Sequence, residues 1–322
     1  MSAPLIFTHY GYADYLGRAL RVAKSSNPGM RIFLLGDSAN RRCAGSHAIH
    51  VPFESLAGGA KELEFQRVFR AISGERHRFN KLHGVDTWLR FVFRRWFLIE
   101  AFLEREGIEA FWTFDSDTLV LQDLRSRESR FEGYEATTQC KDQCLNGWVG
   151  SRALVRGYTQ SILDQFSDPE YLELQRERLR VEVGLAFNEM DAFAEFRRRE
   201  DLKTWHAQRP SNGEIFDDAL GIPRGFEPAG ERVMGRTLVK RLWTDGRDLF
   251  VKRNCGTMLR LVTCNMSWMP DFFWKRLERI VLNGRPGGAM KAVSYAEPRF
   301  HRIVRLLREG MWRVRLAGGR LC

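Results

Sequence analysis

The stretch Phe111-Trp112-Thr113-Phe114-Asp115-Ser116-Asp117-Thr118-Leu119-Val120-Leu121 places two carboxylates one residue apart inside an otherwise apolar run. An unpaired carboxylate taken out of water costs several kcal/mol or loses its charge, so these acids must face solvent, accept hydrogen bonds or hold a cation. In an extended segment the two side chains point to opposite faces, but where a strand gives way to a turn both can reach one cleft. One carboxylate can then hold a divalent ion and the other a neighbouring hydroxyl. Mg2+ or Mn2+ commonly takes one or two protein carboxylates and completes its shell with water and phosphate oxygens. The competing reading is plain turn chemistry, one Asp closing an Asx turn and the other solvated.

The flanking pattern decides where this turn lies. Leu5 to Thr8 is a short apolar run closed by His9-Tyr10-Gly11, and Tyr12, Leu16, Ala19, Leu20 and Ala23 then recur at helical spacing until Asn27-Pro28-Gly29. Arg31 to Leu35 reads as the next strand and ends at Gly36-Asp37, so the opening is a βαβ unit with parallel strands. His47 to Val51 is a weaker strand. Glu54 to Ser73 and Trp88 to Glu106 carry long helical patterns, the second capped by Gly107. Ala110 to Phe114 then supplies a further strand, which puts Asp115 at its carboxyl end, where an open α/β sheet exposes its binding crevice.

Beyond that point the pattern changes. Ser151 to Phe196 is mostly helical, and Val239 to Trp243, Asp248 to Lys252 and Thr257 to Thr263 read as three short strands of a late antiparallel meander. Asp271 to Leu282 is the last helix before the break at 283–288. The fold class that follows is α/β, a Rossmann-type mixed and mostly parallel sheet flanked by helices. The expected division is a nucleotide-binding half over 1–125, an acceptor and catalytic half over 126–285, and a basic helical appendage over 286–322.

A chain of 322 residues with 44% hydrophobic and 12% aromatic content can bury a sizeable core. Its start has no basic n-region and too short an apolar run for a signal peptide, and no window reaches a membrane span, so a cytoplasmic location is expected. Six scattered cysteines do not form a disulfide framework, and Cys140 and Cys144 have no second pair at zinc spacing. The formal charge of +11 attracts polyanions, anionic lipid or phosphorylated small molecules. No nucleic-acid motif accompanies it, and nucleic acid is not an expected partner. In the tail, Phe300, Ile303, Val304, Leu306, Leu307 and Met311 recur near helical spacing among His301, Arg302, Arg305, Arg308 and Arg313. This segment can lie on the inner face of an anionic membrane or pack as a last core helix.

The strand-borne FDSD, the opening IFTHYGYADYLGRAL with RIFLLGD after it, and the helix ending RRWFLIEAFLE together resemble nucleotide-sugar glycosyltransferases of GT-A fold. The likeness covers roughly Leu5 to Arg285 and is clearest in the first 150 residues. It implies a hexosyl-type transferase that uses Mn2+ or Mg2+ to move a sugar from a nucleoside-diphosphate sugar to a hydroxyl of a glycan or lipid-linked acceptor, in surface polysaccharide or glycolipid assembly. By the same resemblance Asp115 contacts the ribose or sugar and shares the metal site with Asp117, which binds the metal on the diphosphate. Thr8, His9, Tyr10 and Gly11 would hold the nucleoside with Asp37 beside them, and Asn146 and Gly147 would run beneath the donor sugar.

Arg95, in an apolar helix, needs a partner, and its fork suits a phosphate or a carboxylate such as Asp117. Glu189 and Asp191 stand where similar chains carry an acid at the start of a comparable helix, and are the candidates for accepting the acceptor's proton or facing the anomeric carbon. Acid in a first helical turn is also favoured by the dipole alone. One departure stands out. Similar enzymes often carry a late His followed by Gly and Lys, whereas this chain reads Val262-Thr263-Cys264-Asn265-Met266-Ser267-Trp268. That departure keeps open a degenerate member that binds nucleotide or glycan without turnover. The +11 charge and the paired acids support a third reading, a nucleic-acid-binding or nucleotidyl-transferring protein, which lacks a third catalytic Asp at a suitable distance.

Overall fold

The computed structural model describes residues 3–77, 84–233 and 237–296, which form two compact units. The first comprises Met1–Asp218 with Val262–Asn265, and the second Ala219–Leu261 with Met266–Cys322. The appendage pattern over 300–313 lies outside the described residues.

The first unit opens with β1 (Leu5–His9), α1 (Leu16–Ser26), β2 (Ile32–Gly36), α2 (Arg41–Ala44) and β3 (Ile49–Pro52). Next come α3 (Ala60–Val68), α4 (Val85–Glu106), β4 (Phe111–Thr113), β5 (Thr118–Val120), β6 (Ala136–Gln139) and β7 (Cys144–Val149). The helices α5 (Arg152–Ser167), α6 (Pro169–Val181) and α7 (Glu189–Arg199) follow, then β8 (Thr204–His206) and β9 (Glu214–Phe216). Seven strands form one sheet in the order β3-β2-β1-β4-β7-β6-β8. The first four are mutually parallel, β7 runs antiparallel to β4 and β6, and β8 is parallel to β6. This is the mixed, mostly parallel sheet expected.

Strands covered on both faces read as unbroken apolar runs, which is why LIF and IFLL show no alternation in sequence. The alternation reappears in the packing. Leu5, Phe7, Ile32 and Leu34 join a core under α1 with Trp112 and Phe114, while Ile6, Phe33 and Leu35 join a larger one built from α3, α4, α5 and α7. Each fully buried side chain of this size contributes roughly 1.5–3 kcal/mol relative to exposure. Helix α4 presents Leu89, Phe93, Trp96, Phe97, Phe102 and Leu103 to the second core and ends at left-handed Gly107, whose N–H closes onto the carbonyls of Leu103 and Glu104.

Two expectations need correction. The helix expected over 54–73 is only α3: Gly58, at φ +92°, interrupts it, and the Glu62 carboxylate accepts the Gly58 N–H at 2.7 Å to start the helix afresh. The strand expected over 239–243 breaks at Arg241. In the second unit β10 (Pro228–Val233) pairs with β11 (Thr237–Lys240), whereas β12 (Leu242–Thr244) pairs with β13 (Leu249–Lys252). Strand β14 (Met258–Asn265) continues the meander, followed by α8 (Asp271–Asn283) and β15 (Lys291–Ala292), which pairs with β12. The last residues of β14 belong to the first unit, antiparallel to β5.

Candidate active site

Phe114-Asp115-Ser116-Asp117 is the joint between two sheets. β4 ends at Thr113 beside β1, and β5 begins at Thr118 beside the end of β14. Thr118 donates its N–H to the Asp115 carbonyl at 2.9 Å, so the two acids straddle a tight turn rather than a continuous strand. That geometry releases both carboxylates from the alternation of an extended chain.

Arg95 on α4 binds the first acid. Its Nη1 donates to Asp115 Oδ1 at 2.7 Å and its Nη2 to Glu189 Oε1 at 3.1 Å. The arginine and Glu189 side chains are each 11% exposed, the Asp115 side chain 38%, so the triad opens to solvent through Asp115. Burial alone would lower the Arg95 pKa, but the charges of Asp115 and Glu189 outweigh it and hold the guanidinium above its usual value. Burial also pushes the Glu189 carboxyl up; Arg95 pulls it down, Asp115 adds repulsion, and the balance lies above the ordinary carboxylate value. The partners of Arg95 are therefore Asp115 and Glu189, where the sequence pointed to Asp117.

Helix α7 explains why Glu189 stands there. Asn188 caps it, accepting the N–H groups of Met190 and Asp191, and Asp191 returns the contact to the Asn188 N–H. The Tyr158 hydroxyl donates to the Glu189 carbonyl at 2.5 Å. Asp191 turns the other way, with its two oxygens each 3.0 Å from the guanidinium of Arg178. Of the two acids singled out at this helix start, Glu189 faces the Arg95 and Asp115 pair and Asp191 caps the helix.

The carboxyl end of β1 meets the turn from below. His9 Nδ1 lies 2.8 Å from Ser116 Oγ, the residue between the two acids. Burial drives the His9 pKa down to about 4 against the opposing pull of Asp37, so the ring is neutral at pH 7. Its carbonyl accepts from the Asn40 amide at 2.7 Å. Asp37, one residue past β2, accepts from Gly11 N at 2.7 Å and from the N–H groups of Ala39 and Asn40. Gly11 sits at φ +77°, which a side chain resists, and this lets the loop fold back onto Asp37. Thr8 is buried, whereas Tyr10 is 58% exposed with its ring against Phe91. Tyr15 lies close enough to Asp117 that burial and this charge raise its pKa to about 12.

From the other side β7 contributes Asn146 and Gly147. Asn146 is buried, and with Thr8, Arg95, Thr113 and Asp115 it lines one small internal void. Gly147 adopts φ +103°, and a Cβ there would stand 2.3 Å from Thr137 Oγ1. That hydroxyl bridges the Asn146 carbonyl and the Trp148 N–H, so glycine is required by the close approach of β6. Finally, Asn265 at the end of β14 directs its side-chain amide to Asp117 Oδ1 and to Thr118 Oγ1, each at 3.3 Å.

The structure thus gathers Thr8, His9, Gly11, Asp37, Arg95, Asp115, Asp117, Asn146 and Glu189 around the carboxyl ends of β1, β2 and β4. Sequence reasoning overlooked Ser116, read only as a spacer, and Asn40 and Tyr158, which no pattern in the chain marks. Among the described residues no cluster of three or more His, Cys, Asp or Glu side chains could close around a metal. The carboxylate oxygens of Asp115 and Asp117 are the groups at this turn that could be offered to an Mg2+ or Mn2+ ion whose shell a ligand's phosphates complete, and the Asn265 amide N–H, donated to Asp117, is not a ligand.

No family profile matches the sequence, and no curated protein matches it. Among solved structures, the PaToxG glycosyltransferase is similar at a TM-score of 0.38 and 9% identity, covering 62% of this chain and 69% of that one. The galactosyltransferase LgtC in complex with donor and acceptor sugar analogues is similar at 0.36 and 14% identity, covering 64% of this chain and 73% of its own. Among the described residues, no helix is long and apolar enough to cross a membrane.

Proposed function

We propose that this chain is a glycosyltransferase that moves a sugar from a nucleoside-diphosphate sugar to a hydroxyl of a glycan or lipid-linked acceptor. The observation that carries the reading is the Asp115, Arg95 and Glu189 triad, buried at Arg95 and Glu189 and open to solvent at Asp115, abutting the Asp115-Ser116-Asp117 turn at the carboxyl ends of parallel strands. In this reading Gly11, Asp37 and the turn after β1 hold the nucleoside, and Asp115 and Asp117 hold Mn2+ or Mg2+ against the diphosphate. The ion supplies positive charge at the leaving phosphate oxygen, where negative charge develops as the glycosidic bond breaks.

The chain's own residues do the remaining work. Arg95 fixes the Asp115 carboxylate in one orientation by a charge-assisted hydrogen bond. It also keeps a positive charge beside Glu189, partly offsetting the burial that raises that carboxyl's pKa. A carboxylate with a raised pKa accepts a proton more readily than a solvated one, which suits Glu189 to take the acceptor hydroxyl's proton or to face the anomeric carbon. Neutral His9 holds Ser116, and so the turn, without adding charge near the diphosphate.

Calorimetric titration of the purified chain with nucleoside diphosphates, with and without Mn2+, followed by a donor-hydrolysis assay, tests the proposal. Metal-dependent binding with hydrolysis supports it. Binding without hydrolysis favours a nucleotide-binding protein lacking turnover, the reading that Asn265 in place of a late His motivates. No binding of any diphosphate overturns both.

A further inference from the structure

Between residues 10 and 45 the chain carries six basic residues, Arg18, Arg21, Lys24, Arg31, Arg41 and Arg42, against only Asp14 and Asp37. Two of them converge on a cavity of about 790 Å³ lined by Tyr12, Ser38, Ala39, Arg41, Arg42 and Gly45, a volume in the range of small-molecule sites. Both arginines are exposed, and among the described residues neither has a carboxylate partner. The two nearby acids are engaged elsewhere. Asp37 is occupied by the three N–H groups of Gly11, Ala39 and Asn40, and Asp14 accepts the Tyr12 hydroxyl at 2.7 Å.

Arg41 and Arg42 both line this open surface depression, and two cationic side chains on one wall concentrate positive potential there. Arg42 is also held in place. Its guanidinium lies 4.4 Å above the Tyr12 ring, and the Tyr12 hydroxyl is pinned by Asp14, so the fork has lost part of its rotamer freedom before any ligand arrives. Ser38 adds a hydroxyl that can donate from the same wall. Two guanidinium forks lining one open depression can each donate to the multiply charged oxygens of a phosphate, which offers more acceptors than a single carboxylate.

We propose that Arg41, Arg42 and Ser38 form a phosphate-binding site in the cavity beside Tyr12, taking a phosphate group from either a soluble molecule or a lipid headgroup. The site uses none of the side chains assigned to the donor turn, and it stands whether or not the chain transfers sugar.

The test uses the full chain and no added divalent metal, so that the turn at Asp115 and Asp117 is not engaged through an ion. Inorganic pyrophosphate is titrated calorimetrically into wild type, Arg41→Gln, the double variant Arg41→Gln/Arg42→Gln and Asp117→Asn. Each charge-assisted contact removed is expected to weaken binding about tenfold, while Asp117→Asn binds as wild type does. Co-sedimentation with phosphatidylglycerol and with phosphatidylcholine vesicles identifies the source. A preference for phosphatidylglycerol that falls in the double variant supports a lipid headgroup, and retained vesicle binding beside lost pyrophosphate binding supports a soluble phosphate. Equal pyrophosphate affinity in wild type and the double variant overturns the site. So does a wild-type signal that sodium chloride at matched ionic strength removes, or one that Asp117→Asn abolishes. The single variant covers the case in which the double variant does not fold.

Discussion

Asn265 reaches back 148 residues to place its amide 3.3 Å from the Asp117 carboxylate. The contact sets the side chain at the end of β14 against the second acid of the turn. In the proposed reading Asp117 is the acid that holds the cation, and the Asn265 N–H donated to it is not itself a metal ligand. Substitution at that acid is correspondingly the sharpest probe of metal use.

Asp117→Asn keeps the volume of the side chain and removes its charge. Mn2+-dependent affinity for a nucleoside diphosphate is expected to fall by at least tenfold, about 1.4 kcal/mol, with the thermal midpoint of the ligand-free protein unchanged within a few degrees. Calorimetry with and without Mn2+ reads this out, and an unaltered metal-dependent increment would rule out the turn as the cation's seat.

Glu189 makes stability depend on pH. Its carboxyl pKa is raised in the folded chain, first by burial, so the native state binds this proton more readily than the unfolded state does. Its contribution is therefore fully present below the ordinary carboxylate value and is lost as pH rises through the folded value. Between pH 5 and 8, Glu189→Gln should lose less stability than wild type in urea-unfolding series while abolishing turnover. Asp191→Asn, which perturbs a helix cap, is expected to cost about 1 kcal/mol and leave turnover in place. Identical pH slopes in wild type and Glu189→Gln would count against a buried, charged Glu189.

His9 works with the opposite sign. Its folded pKa, about 4, lies below the ordinary 6.5, so the unfolded chain takes up a proton first as the solution is acidified. Stability attributable to the neutral ring is present above pH 6.5 and disappears as pH falls toward 4, a loss of about 3 kcal/mol. His9→Asn, which retains a polar partner for Ser116, is expected to show an acid limb shallower by that amount. Chemical unfolding at pH 7 and pH 4.5 measures the difference.

Gly147→Ala brings a methyl group to 2.3 Å from Thr137 Oγ1 at a backbone angle of φ +103°. Strain and clash together are expected to destabilise the fold by roughly 2–4 kcal/mol. Adding Thr137→Ser does not relieve it, because the hydroxyl itself is the obstacle; Thr137→Ala recovers part of the loss. Denaturant midpoints of the three variants decide the point.

Much of the fold was legible because its strands are short apolar runs closed by turn residues. Leu5 to His9, Ile32 to Gly36 and Phe111 to Thr113 fall where the pattern puts them, and with them the turn bearing Asp115. The candidate site was legible only by type. That a guanidinium within an apolar helix needs a carboxylate follows from desolvation, but the choice among Asp115, Asp117 and Glu189 depends on how α7 is capped and where β4 stops. Ser116 and Asn40 were invisible for the same reason. Their roles come from tertiary neighbours, His9 in both cases, and local spacing carries no trace of them.

The return of Val262–Asn265 into the first unit has a consequence for the order of synthesis. A nascent chain that has emerged through Asp218 holds the triad and the turn but lacks the strand that hydrogen-bonds along β5 and the amide that touches Asp117. The edge of β5 stays open until residue 265 has been made, so Asp117 gains its contact with Asn265 later in synthesis than Asp115 gains Arg95, which precedes it in the chain.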